Sequence, residues 1–211
     1  MPNSNEGVWQ FNLRALFEKL DEAQRLEEVQ HDQLAAEILR ATTYYSFFLK
    51  RLAVRHARRA YDLAVPGEMV RLTDGQCDVL GTILMRVDLH KAEMLLRIGL
   101  QKNPPPHSVA LLRIGLAEIA FRRGDYGTAS QLAFMAHDQY GVVQNQPEDA
   151  EKIQAMRQFS RVFRRAMILF RNLDEDLDAS YCEREGWRLV IHPQYGSRSQ
   201  KWKFWLANWF G

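Results

Sequence analysis

The residue types that most often carry out catalysis are scattered along this chain. Six histidines and two cysteines occur, but none of them has the HxxxH, HExxH or CxxC spacing that binds a metal ion. The GxSxG, Walker A and GxGxxG motifs, which would position a nucleophile or cradle a phosphate, are also missing from the sequence. The sequence therefore predicts a protein that is not an enzyme and that holds no metal ion and no cofactor.

One acidic segment partly matches the spacing of a calcium-binding loop. Between residues 174 and 185, acids occupy the first, third, fifth and twelfth positions. The sixth position, which needs glycine for a sharp turn, is Ala179, and the eighth is Tyr181. Acids also gather at helix N-termini, because they interact favourably with the helix dipole. We therefore expect these acids to begin a helix rather than to bind calcium.

Arginines repeat in two segments that both have the pattern RxxxRxxRRA. At about 100° per residue, each segment places four guanidinium groups on one face of a helix. Such a face is either solvated or bridged to a neighbouring helix, or it binds an anionic partner such as an acidic peptide, RNA phosphates or a lipid headgroup. The first arginine stripe consists of Arg51, Arg55, Arg58 and Arg59, and the second of Arg157, Arg161, Arg164 and Arg165.

The C-terminal residues combine basic and aromatic side chains. Five apolar residues fall on one helical face, and Arg198, Lys201 and Lys203 lie among or before them. One interpretation is a helix that caps the hydrophobic end of the fold. The alternatives are an anchor at a membrane interface and a segment that docks into a partner's groove. The five apolar residues are Trp202, Trp205, Leu206, Trp209 and Phe210.

The composition indicates a globular chain. A length of 211 residues suits one domain or one continuous stack of elements, and 46% hydrophobic residues is typical of a folded protein. No uncharged apolar run is long enough to span a bilayer. The first seven residues lack the basic and apolar regions of a secretory signal, and two distant cysteines exclude a disulfide framework. These features favour a cytoplasmic protein, with a location peripheral to a membrane left open.

The formal net charge of +2 is a sum over segments of opposite sign. Residues 1–48 and 172–186 are acidic, whereas residues 49–72, 148–171 and 187–211 are basic. The small net charge therefore does not exclude an anionic partner. This distribution of charge also allows the acidic segment 172–186 to fold back and pair with an arginine stripe.

Hydrophobic periodicity of three and four residues predicts an all-α fold. Residues 12–64 contain almost no glycine or proline, and further helices are predicted over 73–85, 89–100, 108–123 and 148–171, with one ending near Tyr140 and a short one ending near Gly186. Thr73 and Gln76 have the spacing of a capping box, and Gly124-Asp125 is a turn signal. Residues 187–191 alone have a strand-like composition.

Two helix pairs between residues 73 and 143 resemble tetratricopeptide repeats, which are helix-turn-helix units of about 34 residues. Their turns align as RVDLHKA and RGDYGTA, with Ala92 matching Ala129. Val87 stands where the family has a turn glycine, and Arg113 replaces a large apolar residue. The residues of the second helices that match the family's close-packing face are Ala92, Leu96, Gly99, Ala129, Ala133 and Ala136. Ala53, Ala57 and Ala60 suggest a degenerate third unit whose turn is absorbed into a long helix. A generic bundle of helical hairpins is the alternative.

The resemblance implies an antiparallel helix-hairpin solenoid over residues 1–186, followed by a basic aromatic tail over 187–211 that caps or anchors it. It also implies a non-catalytic adaptor or scaffold that binds a peptide or protein on the face formed by first helices. The alternative function is a peripheral membrane or ribonucleoprotein component that uses the arginine stripes and the tail. Homo-oligomerisation is left open. The residues expected to contact the peptide or protein are Met85, Ile114, Glu118, Phe121 and Arg122.

Overall fold

In a computed structural model of the protein, the described residues are 4–30, 32–64, 71–147, 149–196, 201 and 205. Within these ranges all regular secondary structure is helical, which confirms the predicted all-α class. The helices are α1 (Ser4–Glu28), α2 (Gln33–Ser46), α3 (Lys50–Leu63), α4 (Asp74–Leu84), α5 (Leu89–Gln101), α6 (Pro106–Arg122), α7 (Tyr126–His137), α8 (Gln139–Gln144), α9 (Ala150–Asn172) and α10 (Asp176–Ile191).

The chain divides into two compact units, Met1–Leu95 and Leu96–Gly211, with the boundary inside α5. In the first unit α2 packs against α1, α3 and α4, and α3 packs against α4. In the second unit α9 is central, because it packs against α6, α7, α8 and α10. The sequence instead predicted one domain over residues 1–186.

Three helical hairpins share one kind of turn. Three residues separate α2 from α3, α6 from α7 and α9 from α10, and the middle residue has a positive φ: Phe48 (61°), Gly124 (80°) and Asp174 (58°). The next backbone N–H donates to the carbonyl five residues earlier, in the pairs Leu49–Tyr44, Asp125–Ala120 and Glu175–Phe170. This is the Schellman arrangement, which satisfies carbonyls at the end of a helix.

The turn around Phe48 corrects the predicted helical region. Residues 12–64 do not form one long helix that absorbs the turn, because α1, α2 and α3 are separate. A chain can turn without glycine or proline when the Schellman hydrogen bonds compensate for the unfavourable φ. The Asp32 carboxylate also accepts from the Ala35 N–H and caps α2.

Each of these hairpins buries an alanine at the start of its second helix. Ala53, Ala129 and Ala179 are buried, and each N–H donates to the carbonyl of the last turn residue, four positions earlier. A small side chain here lets the two helix axes approach closely. The alanine pattern found in the sequence at residues 53 and 129 therefore does mark the crossing points of hairpins.

The predicted strand-like segment 187–191 is wrong, since these residues form the last turns of α10. In a strand, neighbouring side chains point to opposite faces. Here the consecutive residues Leu189 and Val190 are both buried in the core, whereas Ile191 is exposed. Packing in the core thus overrides the β preference of these few residues. The predicted domain boundary after residue 186 falls inside the same helix.

The predicted capping box at Thr73 and the predicted turn at Gly124-Asp125 are confirmed, and Asp125 also caps the helix that follows. The Thr73 hydroxyl accepts from the Gln76 N–H at 3.1 Å, and the Thr73 N–H donates to the Gln76 side chain at 2.8 Å. The Asp125 carboxylate accepts from the Thr128 N–H at 3.1 Å. A hydrogen bond from the Thr128 side chain, together with this backbone hydrogen bond, holds the pKa of the Asp125 carboxyl below its usual range. These caps satisfy N–H groups that the helices themselves leave without partners.

Candidate functional site

A cleft of about 330 Å³ lies at the C-terminal ends of α6 and α9, within the second unit. Its residues from α6 have the spacing i, i+3, i+4, and those from α9 the spacing i, i+3, i+4, i+7. Residues at these spacings share one face of a helix, so each helix contributes a continuous wall. The lining residues are Glu118, Phe121, Arg122, Arg165, Ile168, Leu169 and Asn172.

A charged pair forms part of the cleft wall. Arg165 Nε donates to Glu118 Oε1 at 2.7 Å, and the second guanidinium nitrogen donates to Oε2 at 3.1 Å. The side chains are only 11% and 25% exposed, respectively. A two-point contact between guanidinium and carboxylate is strong and fixes the orientation of both groups. The pair therefore joins α6 to α9 and gives the cleft a fixed polar wall.

Gly115 lies beside this pair and leaves space for the side chain of Leu96. A Cβ at this position would lie 2.9 Å from Leu96 Cδ1 and 3.4 Å from a guanidinium nitrogen of Arg165. Leu96 is buried, so it has little freedom to move away. Gly115 is therefore a packing contact between α6 and Leu96.

Three apolar side chains line the cleft together with the polar residues Arg122 and Asn172. Leu169 is buried and Ile168 and Phe121 are half-buried, and the Phe121 ring lies 5.4 Å from the ring of Tyr126. The Asn172 side chain donates to the Ile168 carbonyl at 2.9 Å near the end of α9. The cleft thus offers an apolar surface beside a paired carboxylate and guanidinium, which is the usual character of a binding pocket.

The structure brings three of the five predicted partner contacts together. Glu118, Phe121 and Arg122 line the cleft. Ile114 is fully buried in the core of the second unit, and Met85 is buried in the first unit. These two predictions are corrected, since a buried side chain packs inside the fold and presents no surface to a partner.

The two arginine stripes have different environments. In the second stripe Arg165 pairs with Glu118, Arg157 donates to the Gln194 carbonyl at 2.9 Å, and Arg161 donates to the Gln158 side chain at 2.9 Å. Arg165 therefore bridges α9 to the neighbouring helix α6, which is one of the two interpretations of this stripe. The four arginines of the first stripe are all exposed.

Most of the predicted tail face lies outside the described residues. This applies to Trp202, Leu206, Trp209 and Phe210. Trp205 is helical and 40% exposed, and Lys201 is also helical and exposed. Whether the tail caps the fold or anchors it stays a prediction.

The first unit contains a buried charge network that was not predicted from the sequence. Glu37 is buried; its carboxylate accepts from Arg40 at 3.1 Å and lies 2.6 Å from His56 Nδ1. Arg40 also donates to Glu27 at 2.6 Å, and the His56 ring stacks on Tyr44 at 5.3 Å. A buried carboxylate needs several such partners. A signal was available, because Glu37 falls among the apolar positions of a predicted helix.

The acidic segment at residues 174–185 does not form a calcium loop. Asp176 and Asp178 lie in the first turn of α10, and Glu175 accepts a hydrogen bond from the Ser130 hydroxyl at 3.1 Å. This agrees with the expectation that the acids begin a helix. Across the described ranges, no three His, Cys, Asp or Glu residues are grouped so that they could hold a metal ion. In the same ranges no helix has the length and apolar character needed to span a bilayer.

The fold and the cleft together define a helix-hairpin protein with a small, mostly apolar surface site. No family model, curated protein or solved structure matches the chain.

Proposed function

We propose that the protein is a non-catalytic helical-repeat adaptor of the tetratricopeptide type and that it binds a peptide segment of a protein partner in the cleft between α6 and α9. The observation that carries this proposal is the position of the cleft. It lies between the first helices of two successive hairpins, α6–α7 and α9–α10, and at the same end of both helices. In a repeat protein, adjacent first helices form a continuous binding surface.

The equivalent geometry of the hairpins supports the repeat assignment. The α6–α7 and α9–α10 hairpins have three-residue turns with the same hydrogen-bond pattern, and each buries an alanine four residues after the turn. Equivalent turns give the first helices equivalent orientations within their hairpins. Residues 50 positions apart, such as Glu118 and Ile168, therefore line the same cleft, and this interval is longer than the roughly 34 residues of a tetratricopeptide unit because α8 lies between the hairpins.

The chemistry of the cleft favours an apolar anchor residue on the partner. Phe121, Ile168 and Leu169 supply apolar surface, and a volume of about 330 Å³ accommodates one or two side chains. The carboxylate and guanidinium that face the cleft, those of Glu118 and Arg165, already neutralise each other. They are therefore suited to orienting a bound peptide rather than to transferring a proton.

A displayed library of random peptides tests this function directly. Peptides enriched on the wild-type protein should lose most of their binding to Ile168→Arg, because a long cation would fill the apolar cleft. Val142→Arg is the matched control, since Val142 is an exposed apolar residue of α8 in the same unit and does not line the cleft. Circular dichroism of both variants checks that the helices remain.

Two outcomes would contradict the proposal. One is that no peptide is enriched on a folded wild-type protein. The other is that the enriched peptides bind Ile168→Arg as well as they bind Val142→Arg. Enrichment of a peptide derived from the chain itself would instead identify a second copy as the partner.

A further inference from the structure

The first unit carries an exposed cationic surface on α3. Lys50 and the first arginine stripe (Arg51, Arg55, Arg58 and Arg59) are all exposed, and we call these five residues the α3 basic face. Two carboxylates lie nearby. Glu37 is buried among Arg40 and His56 and is 3.8 Å from Arg59, whereas Asp62 accepts a hydrogen bond from Lys91 at 2.9 Å. Both carboxylates are thus engaged by other cations, and the face keeps its positive character.

An exposed apolar group adjoins the cationic surface. Phe48 is 72% exposed, Leu49 is 41% exposed and Leu52 is 38% exposed, and we call these three residues the α3 apolar edge. They occupy the turn before α3 and its first turn, next to Lys50 and Arg51. Clustered exposed apolar residues usually mark a surface that another molecule covers.

The backbone at Phe48 strengthens this interpretation. Its φ is 61°, in the left-handed region that bulky residues rarely adopt. The equivalent positions of the other two hairpins hold Gly124 and Asp174, which are better suited to that conformation. Because the Phe48 ring is mostly exposed, packing within the chain compensates for little of this strain. A strained, exposed aromatic residue is a reason to look for a role outside the fold.

We propose that the α3 basic face and the α3 apolar edge bind the anionic surface of a phospholipid membrane. Guanidinium and ammonium groups attract the anionic headgroups, and the phenylalanine and leucines enter the boundary between headgroups and acyl chains. The phosphates of RNA would pair with the cationic side chains equally well. RNA, however, offers no apolar layer for Leu49 and Leu52. The combination of both chemistries in one turn and one helix favours the bilayer. This inference does not depend on the cleft of the second unit.

Vesicle sedimentation of the full chain tests the proposal. The wild-type protein should sediment with phosphatidylcholine vesicles that contain phosphatidylserine and stay in solution with phosphatidylcholine alone, and added salt should release it. The double variant Arg55→Glu/Arg58→Glu should lower the partition coefficient roughly tenfold or more. Arg86→Glu, at an exposed position in the turn after α4, is the matched control and should bind nearly as wild type.

The apolar contribution is tested by Phe48→Asn. Asparagine tolerates the left-handed conformation, so the thermal midpoint should stay within a few degrees of wild type. Vesicle binding should nevertheless fall several-fold, and less of it should survive at high salt, where apolar insertion dominates. A fall in binding without a fall in stability separates a docking role from a structural one.

Three results would overturn the proposal. The first is that wild-type protein does not sediment with the anionic vesicles. The second is that Arg86→Glu weakens sedimentation as much as Arg55→Glu/Arg58→Glu. The third is that a single-stranded RNA oligomer binds in a fluorescence anisotropy assay and loses affinity with Arg55→Glu/Arg58→Glu, while Phe48→Asn changes neither RNA nor vesicle binding. That last result would assign the cations to nucleic acid.

Discussion

The pair between Glu118 and Arg165 offers the sharpest test of how the cleft is built. We consider a double-mutant cycle of Glu118→Gln, Arg165→Met and the combination of both. If the pair joins α6 to α9, each single variant should lower the free energy of unfolding, because it leaves a partly buried group without its charged partner. The double variant should lose less than the sum of the two losses.

The burial of the two side chains sets the expected magnitude. Exposed ion pairs contribute about 0–1 kcal/mol, whereas breaking a fully buried pair costs about 3–5 kcal/mol. The side chains of Arg165 and Glu118 are 11% and 25% exposed and make a two-point contact. We therefore expect Arg165→Met to cost about 2 kcal/mol, and the coupling energy of the cycle to be about 1–2 kcal/mol.

Urea unfolding followed by circular dichroism measures these free energies. Repeating the cycle at high salt should change the coupling little, because a buried pair is screened less than an exposed one. Arg184→Met is the matched control. Arg184 is 71% exposed and lies 3.5 Å from Glu185, so its loss should change the stability by less than about 0.5 kcal/mol.

If the losses of the two single variants simply add in the double variant, the coupling energy is near zero and the expectation is refuted. It would equally be refuted if Arg184→Met destabilised the protein as much as Arg165→Met does. In either case the two-point contact would not be the connection between α6 and α9.

Two further predictions concern the turn at Gly124 and the half-buried His137. Gly124→Ala should lower the free energy of unfolding by about 1 kcal/mol, because φ is 80° there; Gly127→Ala should be neutral or stabilising, since it lies in α7. Neither new Cβ meets an atom within 4 Å, so equal effects in urea unfolding would contradict the assignment of the turn. Burial lowers the pKa of His137 below its ordinary 6.5, although Asp138 and Asp178 act in the opposite direction. The unfolded chain therefore binds the proton more readily, and stability should fall as the pH drops through about 6.5; a His137→Phe variant with an equally steep dependence would exclude this cause.

The sequence located the turn at Gly124-Asp125 and missed both breaks in the region 12–64, the one before α2 and the one at Phe48. Gly124-Asp125 combines a residue suited to a positive φ with a helix cap, and the turn is where it was predicted. Phe48 occupies the same position of another hairpin, but nothing in its chemistry predicts a left-handed conformation. Only the hydrogen bonds formed in the folded chain explain it, so local sequence reasoning extended a helix through it.

The cleft wall formed by α6 was predicted from the sequence, and the wall formed by α9 was not. Glu118, Phe121 and Arg122 were predicted because α6 resembles the first helix of a repeat. Ile168, Leu169 and Asn172 were missed because α9 was interpreted as a helix with an arginine face and an apolar face, and not as the first helix of a repeat. A signal for the missed hairpin existed. Ala179 follows Glu175 by four residues, as Ala129 follows Asp125, and this spacing recurs at each shared turn.

The two arginine stripes show why a surface pattern does not determine its own role. Both segments read RxxxRxxRRA and both form helices. The second lies on α9, which packs against four other helices of its unit, so its arginines are drawn into contacts such as the pair with Glu118. The first lies on α3, which packs against α2 and α4 and leaves all four arginines exposed. Since the sequence motif is the same, the place of each helix in its unit decides whether the cations contact the protein itself or remain exposed. We therefore expect an anionic partner to bind α3 rather than α9.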